Sequence, residues 1–215
     1  ILESVGLTPG YLIGGVPKDF GRSARLGSSD YFIVEADEYD SAFFDKRSKF
    51  VHYLPKTLVI GNLEFDHADI FDDLEAIQRQ FHHLVRCVPG NGQIIHGTDD
   101  SILEVLDRGL WTPAIQMFES EESAQGAWTC QNLSPAYERL RLTTPDGESA
   151  ELNWDLIGRH NALNALAAVA AAKHVGVGLV DACAALSDFA GVTRRMDVIG
   201  VVDDVTVYDD FAHHP

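Results

Sequence analysis

Thr57-Leu-Val-Ile-Gly-Asn62 is an unbroken apolar run closed by a polar residue, and a different pattern follows it. From Asp73 to Arg86 the apolar residues Leu74, Ile77, Phe81, Leu84 and Val85 recur at helical spacing on one stripe. Gly92-Gln-Ile-Ile-His96 then returns to a short apolar run. Apolar runs without alternation suit strands buried on both faces, as in a parallel sheet. Strand, helix and strand at these lengths make a βαβ unit.

The same reading extends in both directions. Upstream, Tyr31-Phe-Ile-Val-Glu-Ala36 is another such strand, with an acid at its carboxyl end. Ile1 to Pro9 reads as the last turn of a helix ending at Gly6. Downstream, Asp100 to Leu106 is a short helix. From Ala127 to Trp154 the texture alternates, and Pro145-Asp146-Gly147 turns between Arg139–Thr144 and Ser149–Trp154. That is a hairpin at the sheet edge. Arg159 to Val175 is a long alanine-rich helix, Leu179 to Phe189 another, and Val201 to Asp210 reads as strands. The expected fold is a three-layer α/β domain, a mostly parallel sheet flanked by helices with an antiparallel β appendage. It covers residues 1–192, and residues 193–215 begin a further domain.

The chain has 215 residues, 46% of them hydrophobic, enough for one substantial core. No stretch approaches the roughly 18 consecutive apolar residues that span a bilayer, and the opening residues show no secretory pattern. Cys87, Cys130 and Cys183 lie far apart without a CxxC pair, which reads as three small buried hydrophobes in a reducing, cytoplasmic setting. A formal charge of −17 repels nucleic acid. A nucleotide phosphate would therefore need a local cation: Mg²⁺ on carboxylates, or well-placed arginines.

In open α/β sheets ligands bind beyond the carboxyl ends of the strands. Two acidic clusters fall there: Glu35-Ala-Asp37-Glu38-Tyr-Asp40 and Glu64-Phe-Asp66-His67-Ala-Asp69. Carboxylate oxygens with few nitrogens suit a hard ion such as Mg²⁺, although acids in such loops also cap helices. Gly158-Arg-His-Asn-Ala-Leu-Asn164 opens the long helix, with two carboxamides on one side that match an adenine edge. The alternative is capping by Asn161. Thr193-Arg194-Arg195 and Asp209-Asp210-Phe-Ala-His213-His214-Pro215 are either ligand groups or solvated turns. No GxxxxGK[ST] loop occurs, and none of the five lysines follows a glycine, so the phosphate-cradling loop of an ATP enzyme is expected outside the chain.

In their order these segments resemble the Mur ligase family. Its signatures are Glu-Ala-Asp-Glu after a strand and Asn-x-Glu-x-Asp-His after the next, Gly-Arg-His-Asn-x-x-Asn at a helix start, Gly-Val-x-Arg-Arg, then Asp-Asp-x-x-His-His-Pro. The resemblance runs from residue 1 to 215 and implies the central, ATP-binding domain joined to the first strands of a third, ligase domain. It implies Mg²⁺ ligands in Glu35 and His67, and adenine-side contacts in His160, Asn161 and Asn164. It further implies a phosphate-reaching Arg195 and an Asp210 on the ribose hydroxyls, and leaves His213 and His214 without a settled role. By the same resemblance Glu35, His67 and Arg195 are the catalytic set, and ATP and Mg²⁺ the cofactors.

Several members carry a carbamylated lysine beyond the metal histidine; in this chain His82 and His83 stand in that region. That departure is similar to the branch acting on the carboxylate of UDP-N-acetylmuramate. Within it, Phe43-Phe-Asp-Lys-Arg-Ser-Lys-Phe50 and Glu64-Phe-Asp-His-Ala-Asp-Ile-Phe71 resemble the member that adds the recycled tripeptide L-alanyl-γ-D-glutamyl-meso-diaminopimelate. The implied chemistry is an ATP-dependent amide ligation through an acyl phosphate, in peptidoglycan recycling. The alternatives are the member adding free L-alanine, a non-catalytic nucleotide-binding domain, and a metal-dependent hydrolase built on Asp66, His67 and Asp69. Lys46, Arg47 and Lys49 form a small basic patch, read as a solvated loop first and a substrate contact second. An open sheet edge left by an absent phosphate-loop strand is a route to self-association.

Overall fold

The computed structural model describes residues 1–65 and 71–211. The chain divides into two compact units, one of Ile1 and Ala36–Ser187, the other of Leu2–Glu35 and the described residues from Asp188 onward.

The smaller unit opens with β1 (Gly10–Leu12), β2 (Ala24–Arg25) and β3 (Phe32–Val34), in the order β2-β1-β3. β3 runs parallel to β1, with Tyr11 opposite Ile33, and β2 is antiparallel. The parallel pairing expected of the Tyr31–Ala36 run is present, but burial on both faces is not: Phe32 and Ile33 are 55% and 44% exposed. The physical reason is that no helix among the described residues of this unit covers its sheet. Its apolar anchor is Tyr11, buried and stacked on Phe20, with the Arg25 guanidinium 5.2 Å from both ring centres. Residues 2–6 form turns and no regular helix. They nevertheless end as a helix does: Leu7 N–H donates to Leu2 O and Gly6 N–H to Glu3 O, with Gly6 at φ +81°. That is a Schellman closure, which needs the left-handed conformation glycine adopts without penalty.

The larger unit begins with a hairpin, β4 (Asp40–Ala42) and β5 (Asp45–Ser48), and a 3₁₀ turn at Lys49–His52. β6 (Thr57–Ile60), α1 (Leu74–Cys87), β7 (Gln93–His96), α2 (Asp100–Asp107) and β8 (Ala114–Glu119) then alternate. β9 (Trp128–Asn132), β10 (Arg139–Thr143) and β11 (Ser149–Asn153) follow, before α3 (Arg159–His174) and α4 (Leu179–Ser187). All six strands from β6 to β11 form one sheet in reverse chain order. β6 to β9 are parallel, and β10 and β11 continue antiparallel at one edge, as the alternation at Arg139–Trp154 requires.

Neighbouring residues of β7 show why its sequence is uniformly apolar. Ile94 belongs to one buried cluster with Ile77, Leu84 and Val85 of α1 and Ile102 and Val105 of α2; Ile95 belongs to the other, with Leu166 and Val169 of α3. Both isoleucines are 0–1% exposed, so two faces are filled from one strand. Asp73 starts α1 by accepting from Ala76 N–H at 2.7 Å. α3 presents Ala162, Ala165, Ala170 and Ala172 inward, small residues that let a strong helix former lie close to the sheet. At the β10–β11 turn, Gly147 N–H donates to Thr144 O and the Thr144 hydroxyl to the Asp146 carboxylate. Cys130 and Cys183 are buried, and burial pushes their thiols up to about 12 and about 11. Cys87 departs from the expectation of three buried cysteines, since it sits half-buried at the end of α1.

Two histidines tie pH to this packing. His96 is buried with Nδ1 2.8 Å from Gly97 O, and half-buried His174 has Nδ1 2.7 Å from Thr57 Oγ1. Burial lowers the pKa of both, and the charge of Lys56 lowers that of His174 further. Below neutrality the unfolded chain, with histidines near the ordinary value of about 6.5, binds more protons than the folded one. Their contribution to stability is therefore complete above about pH 6.5 and is lost as pH falls toward the lowered folded values. Urea midpoints should drop between about pH 7.5 and about pH 5, and less steeply for His174→Gln. Identical slopes for the two proteins would show that His174 does not contribute.

The smaller unit closes with β12 (Asp197–Val202) and β13 (Val205–Asp209), an antiparallel hairpin. Its two turn residues, Asp203 and Asp204, both have positive φ, the geometry of a two-residue type I′ turn. Val16, Pro17 and Lys18 hold the segment leading into it: Thr193 N–H donates to Val16 O, Lys18 N–H donates to Gly191 O, and Pro17 bridges Val192. Among the described residues no helix is long and apolar enough to cross a membrane.

Candidate nucleotide site

Glu35 stands one residue beyond the carboxyl end of β3, where the sequence places it. Its backbone N–H donates to Leu12 O, and its Oε2 accepts from Gly14 N–H at 2.8 Å. A Cβ on Gly14 would lie 3.4 Å from Oε1, so the backbone comes close to the acid on that side. This pairing orients the carboxylate, and Gly14 had no signal in the sequence that marked it. The rest of the first acidic cluster is used otherwise. Asp37 accepts from Tyr39 N–H at 3.2 Å and pairs with Lys49, and Asp40 pairs with Lys46.

The second cluster follows β6. Glu64 Oε1 accepts from the Asn62 carboxamide at 3.0 Å. Asp66, His67 and Asp69 lie outside the described residues, as do His213 and His214. Among the described residues no three His, Cys, Asp or Glu side chains converge as metal ligands. The donor at Glu35 is a hard, exposed carboxylate with one oxygen held by an amide, which fits an ion that keeps waters and takes substrate oxygens.

The basic patch resolves as a solvated, self-neutralised loop. Lys46 reaches Asp40 at 2.6 Å, Arg47 reaches Asp45 at 2.7 Å, and Lys49 reaches Asp37 at 3.3 Å. The Arg47 guanidinium, aided by a backbone N–H of the same residue, holds the Asp45 carboxyl far below the usual range.

The Gly158–Asn164 segment starts α3 as expected, but Asn161 does not cap it. Gly158 occupies the N-cap position without a side-chain cap bond. The Asn161 carboxamide donates to Ile157 O at 2.8 Å, so it serves as a donor where a cap must accept. Gly158 has φ +92°, and a Cβ there would stand 2.9 Å from the His160 ring. Glycine is thus needed for its conformation and for the close seat of His160. His160 and Asn164 are exposed and Asn161 is half-buried, so the turn presents one imidazole and two carboxamides.

A neighbouring network went unread in the sequence. Glu119, at the end of β8, accepts from Arg159 Nε at 2.6 Å and from the Tyr137 hydroxyl at 2.9 Å. The Glu119 hydrogen bond raises the pKa of Tyr137. Arg159 lies inside the quoted motif, but its partner is 40 residues away in sequence, and no spacing rule links them.

In the smaller unit Arg195 is exposed, flanked by Arg194 at φ +59° and Met196 at φ +54°. Asp197 accepts from Arg194 N–H at 2.6 Å and pairs with Lys18; the hydrogen bond to Lys18 is the larger cause of its lowered pKa. Asp210 Oδ2 accepts from Met196 N–H at 2.8 Å. Asp210 is therefore anchored to the residue that follows Arg195, and both residues are exposed.

A sequence profile described as the Mur ligase middle domain matches residues 15–172. The Escherichia coli (strain K12) UDP-N-acetylmuramate–L-alanyl-γ-D-glutamyl-meso-2,6-diaminoheptandioate ligase is 52% identical over 216 residues, covering 100% of this chain and 46% of that protein. The UDP-N-acetylmuramate–L-alanine ligase of Renibacterium salmoninarum is 33% identical over 217 residues, 100% of this chain and 45% of that protein. The crystal structure of a murein peptide ligase from Psychrobacter arcticus superposes with a TM-score of 0.82 at 45% identity, covering 100% of this chain and 48% of that one. The chain thus spans about half the length of the curated relatives it matches. The profile covers most of its residues, the parallel sheet and the α3 turn among them, and the chain belongs to the Mur ligase family through its middle domain.

Proposed function

We propose that this chain is the nucleotide-binding centre of an ATP-dependent ligase that joins L-alanyl-γ-D-glutamyl-meso-diaminopimelate to UDP-N-acetylmuramate. The observation that carries the substrate choice is the much higher identity to the tripeptide-adding relative than to the L-alanine-adding one over the same span. In this reading residues 1–192 belong to the central domain and residues 193–215 begin the ligase domain. A reaction consuming ATP and a UDP-linked sugar supports a cytoplasmic setting, and a formal charge of −17 disfavours nucleic acid as a partner.

A carboxylate is a poor acyl donor. An oxygen of the lactyl carboxylate attacks the γ-phosphorus of ATP, ADP leaves, and an acyl phosphate forms. The tripeptide's α-amine then attacks the acyl carbon, the C–O bond to phosphate breaks, and the amine gives up a proton as the amide forms. Glu35 and His67 would hold Mg²⁺, which when bound neutralises the crowded phosphate oxygens. Gly14 N–H fixes one Glu35 oxygen and leaves the other to bind. His160, Asn161 and Asn164 receive the adenine: the exposed Asn164 carboxamide can both donate and accept, and the half-buried Asn161, whose N–H is engaged by Ile157 O, keeps its oxygen as an acceptor toward a purine edge. Arg195 offers a cation to the phosphates, and Asp210, anchored by Met196 N–H, offers its second oxygen to the ribose hydroxyls.

The reading is tested by phosphate release from the full-length protein with ATP, Mg²⁺ and UDP-N-acetylmuramate. Stimulation by the tripeptide and not by free L-alanine is expected. Stimulation by L-alanine alone would transfer the chain to the biosynthetic reaction, and stimulation by neither would end the ligase reading. Because Lys46, Arg47 and Lys49 are already paired, replacing all three by alanine should leave KM for both anionic substrates within about twofold. A severalfold rise would restore them as substrate contacts.

A further inference from the structure

The start of α3 is held from outside the helix. Gly158 N–H donates to Ala136 O at 2.9 Å, and Arg159 reaches Glu119 at 2.6 Å. The loop supplying Ala136 is itself tightly tied. Ser134 Oγ donates to Glu138 and accepts from Arg139 N–H, Trp154 Nε1 donates to Tyr137 O, and Tyr137 sits at φ +71°. The Tyr137 hydroxyl completes the frame by donating to the second Glu119 oxygen at 2.9 Å.

Both Glu119 oxygens are thus engaged, one by each neighbour of the turn. The Arg159 charge is neutralised by Glu119, which makes the guanidinium a strut to the sheet. The pair is solvent-accessible, with side chains 62% and 25% exposed, so it adds little to global stability. Its effect is geometric. It fixes the residue that precedes His160 and Asn161, at a point where Gly158 alone would leave the backbone loose.

We infer that Glu119 and Tyr137 are positioning residues for nucleotide recognition: acting through Arg159 and the 134–138 loop, they hold the Gly158–Asn161 turn in the conformation that receives the adenine. This rests on the nucleotide reading proposed above. It assigns a role to two residues that touch no nucleotide themselves.

The test uses the full-length ligase and its Glu119→Gln, Tyr137→Phe, Arg159→Met and Arg159→Lys variants. Affinity is read with a fluorescent ADP analogue, alongside KM for ATP, KM for UDP-N-acetylmuramate, kcat and Tm. ADP affinity should fall, and KM for ATP rise, by about tenfold in Glu119→Gln and about threefold in Tyr137→Phe. KM for the UDP-sugar and kcat at saturating ATP should stay within about twofold. Arg159→Lys, which keeps the ion pair, should recover part of what Arg159→Met loses, and Glu119→Gln on top of Arg159→Met should cost no more than the about threefold assigned to the Tyr137 arm. Unchanged ADP affinity in folded Glu119→Gln would overturn the inference, as would equal losses for both substrates with a matching fall in Tm. Should Glu119→Gln fail to fold, Tyr137→Phe, which deletes a single hydroxyl, decides by the same criteria. If the wild-type protein binds no ADP, the nucleotide reading falls and this inference with it; wild-type binding with unaltered variants removes the inference alone.

Discussion

Replacing Glu35 by alanine in the full-length protein will lower ATP-dependent phosphate release by roughly a hundredfold to a thousandfold, the scale of losing several kcal/mol of charge stabilisation in phosphoryl transfer. Fold and ADP affinity should change far less. Glu35 is exposed, and the described bond to its side chain comes from Gly14 N–H, so its removal opens no cavity. The loss should appear in kcat, because the ion is needed most as the phosphate oxygens crowd together. Raising Mg²⁺ should not restore it. Measurement of kcat, circular dichroism and ADP binding on the same preparation separates the outcomes. Activity within about fivefold of wild type would remove Glu35 from the metal site.

Leu166→Ala should give a large stability loss without touching a proposed ligand group. Leu166 is 0% exposed in the middle of α3, within the cluster that includes Ile95, Leu140 and Trp128. Deleting its buried methyl groups costs about 2–5 kcal/mol, the transfer term plus the cavity left behind. The helix begins with the turn proposed to receive the adenine, so loosening should also weaken ADP binding before unfolding is complete. The urea midpoint should fall with an unchanged slope. A cost below about 1 kcal/mol would mean that α3 settles onto the sheet without Leu166.

How much of this was legible in the sequence depends on how local each cause is. β6, α1 and β7 were readable because a continuous run and a 3.6-residue stripe are local patterns with different periods. The Arg139–Asn153 hairpin was readable for the same reason, with Gly147 marking its turn. The burial of β3 was not readable, because it depends on what covers the strand and not on the strand itself. Residue type alone allows Asn161 to cap α3; the side chain donates to Ile157 O, and composition does not specify that direction. The pairing of Lys46, Arg47 and Lys49 was within reach, since Asp37, Asp40 and Asp45 are close neighbours in the chain. The Glu119–Arg159 strut was out of reach, because only the parallel sheet brings the end of β8 beside the start of α3.

The most direct test of the proposed chemistry follows an oxygen atom. UDP-N-acetylmuramate labelled with ¹⁸O in its lactyl carboxylate is turned over by the full-length protein with ATP, Mg²⁺ and the tripeptide, and the released phosphate is analysed by mass. Attack of the carboxylate on the γ-phosphorus predicts that ¹⁸O from the labelled sugar appears in the phosphate as the amide forms. Amide formation with unlabelled phosphate would contradict the acyl phosphate route and, with it, the roles proposed for Glu35, His67 and Arg195.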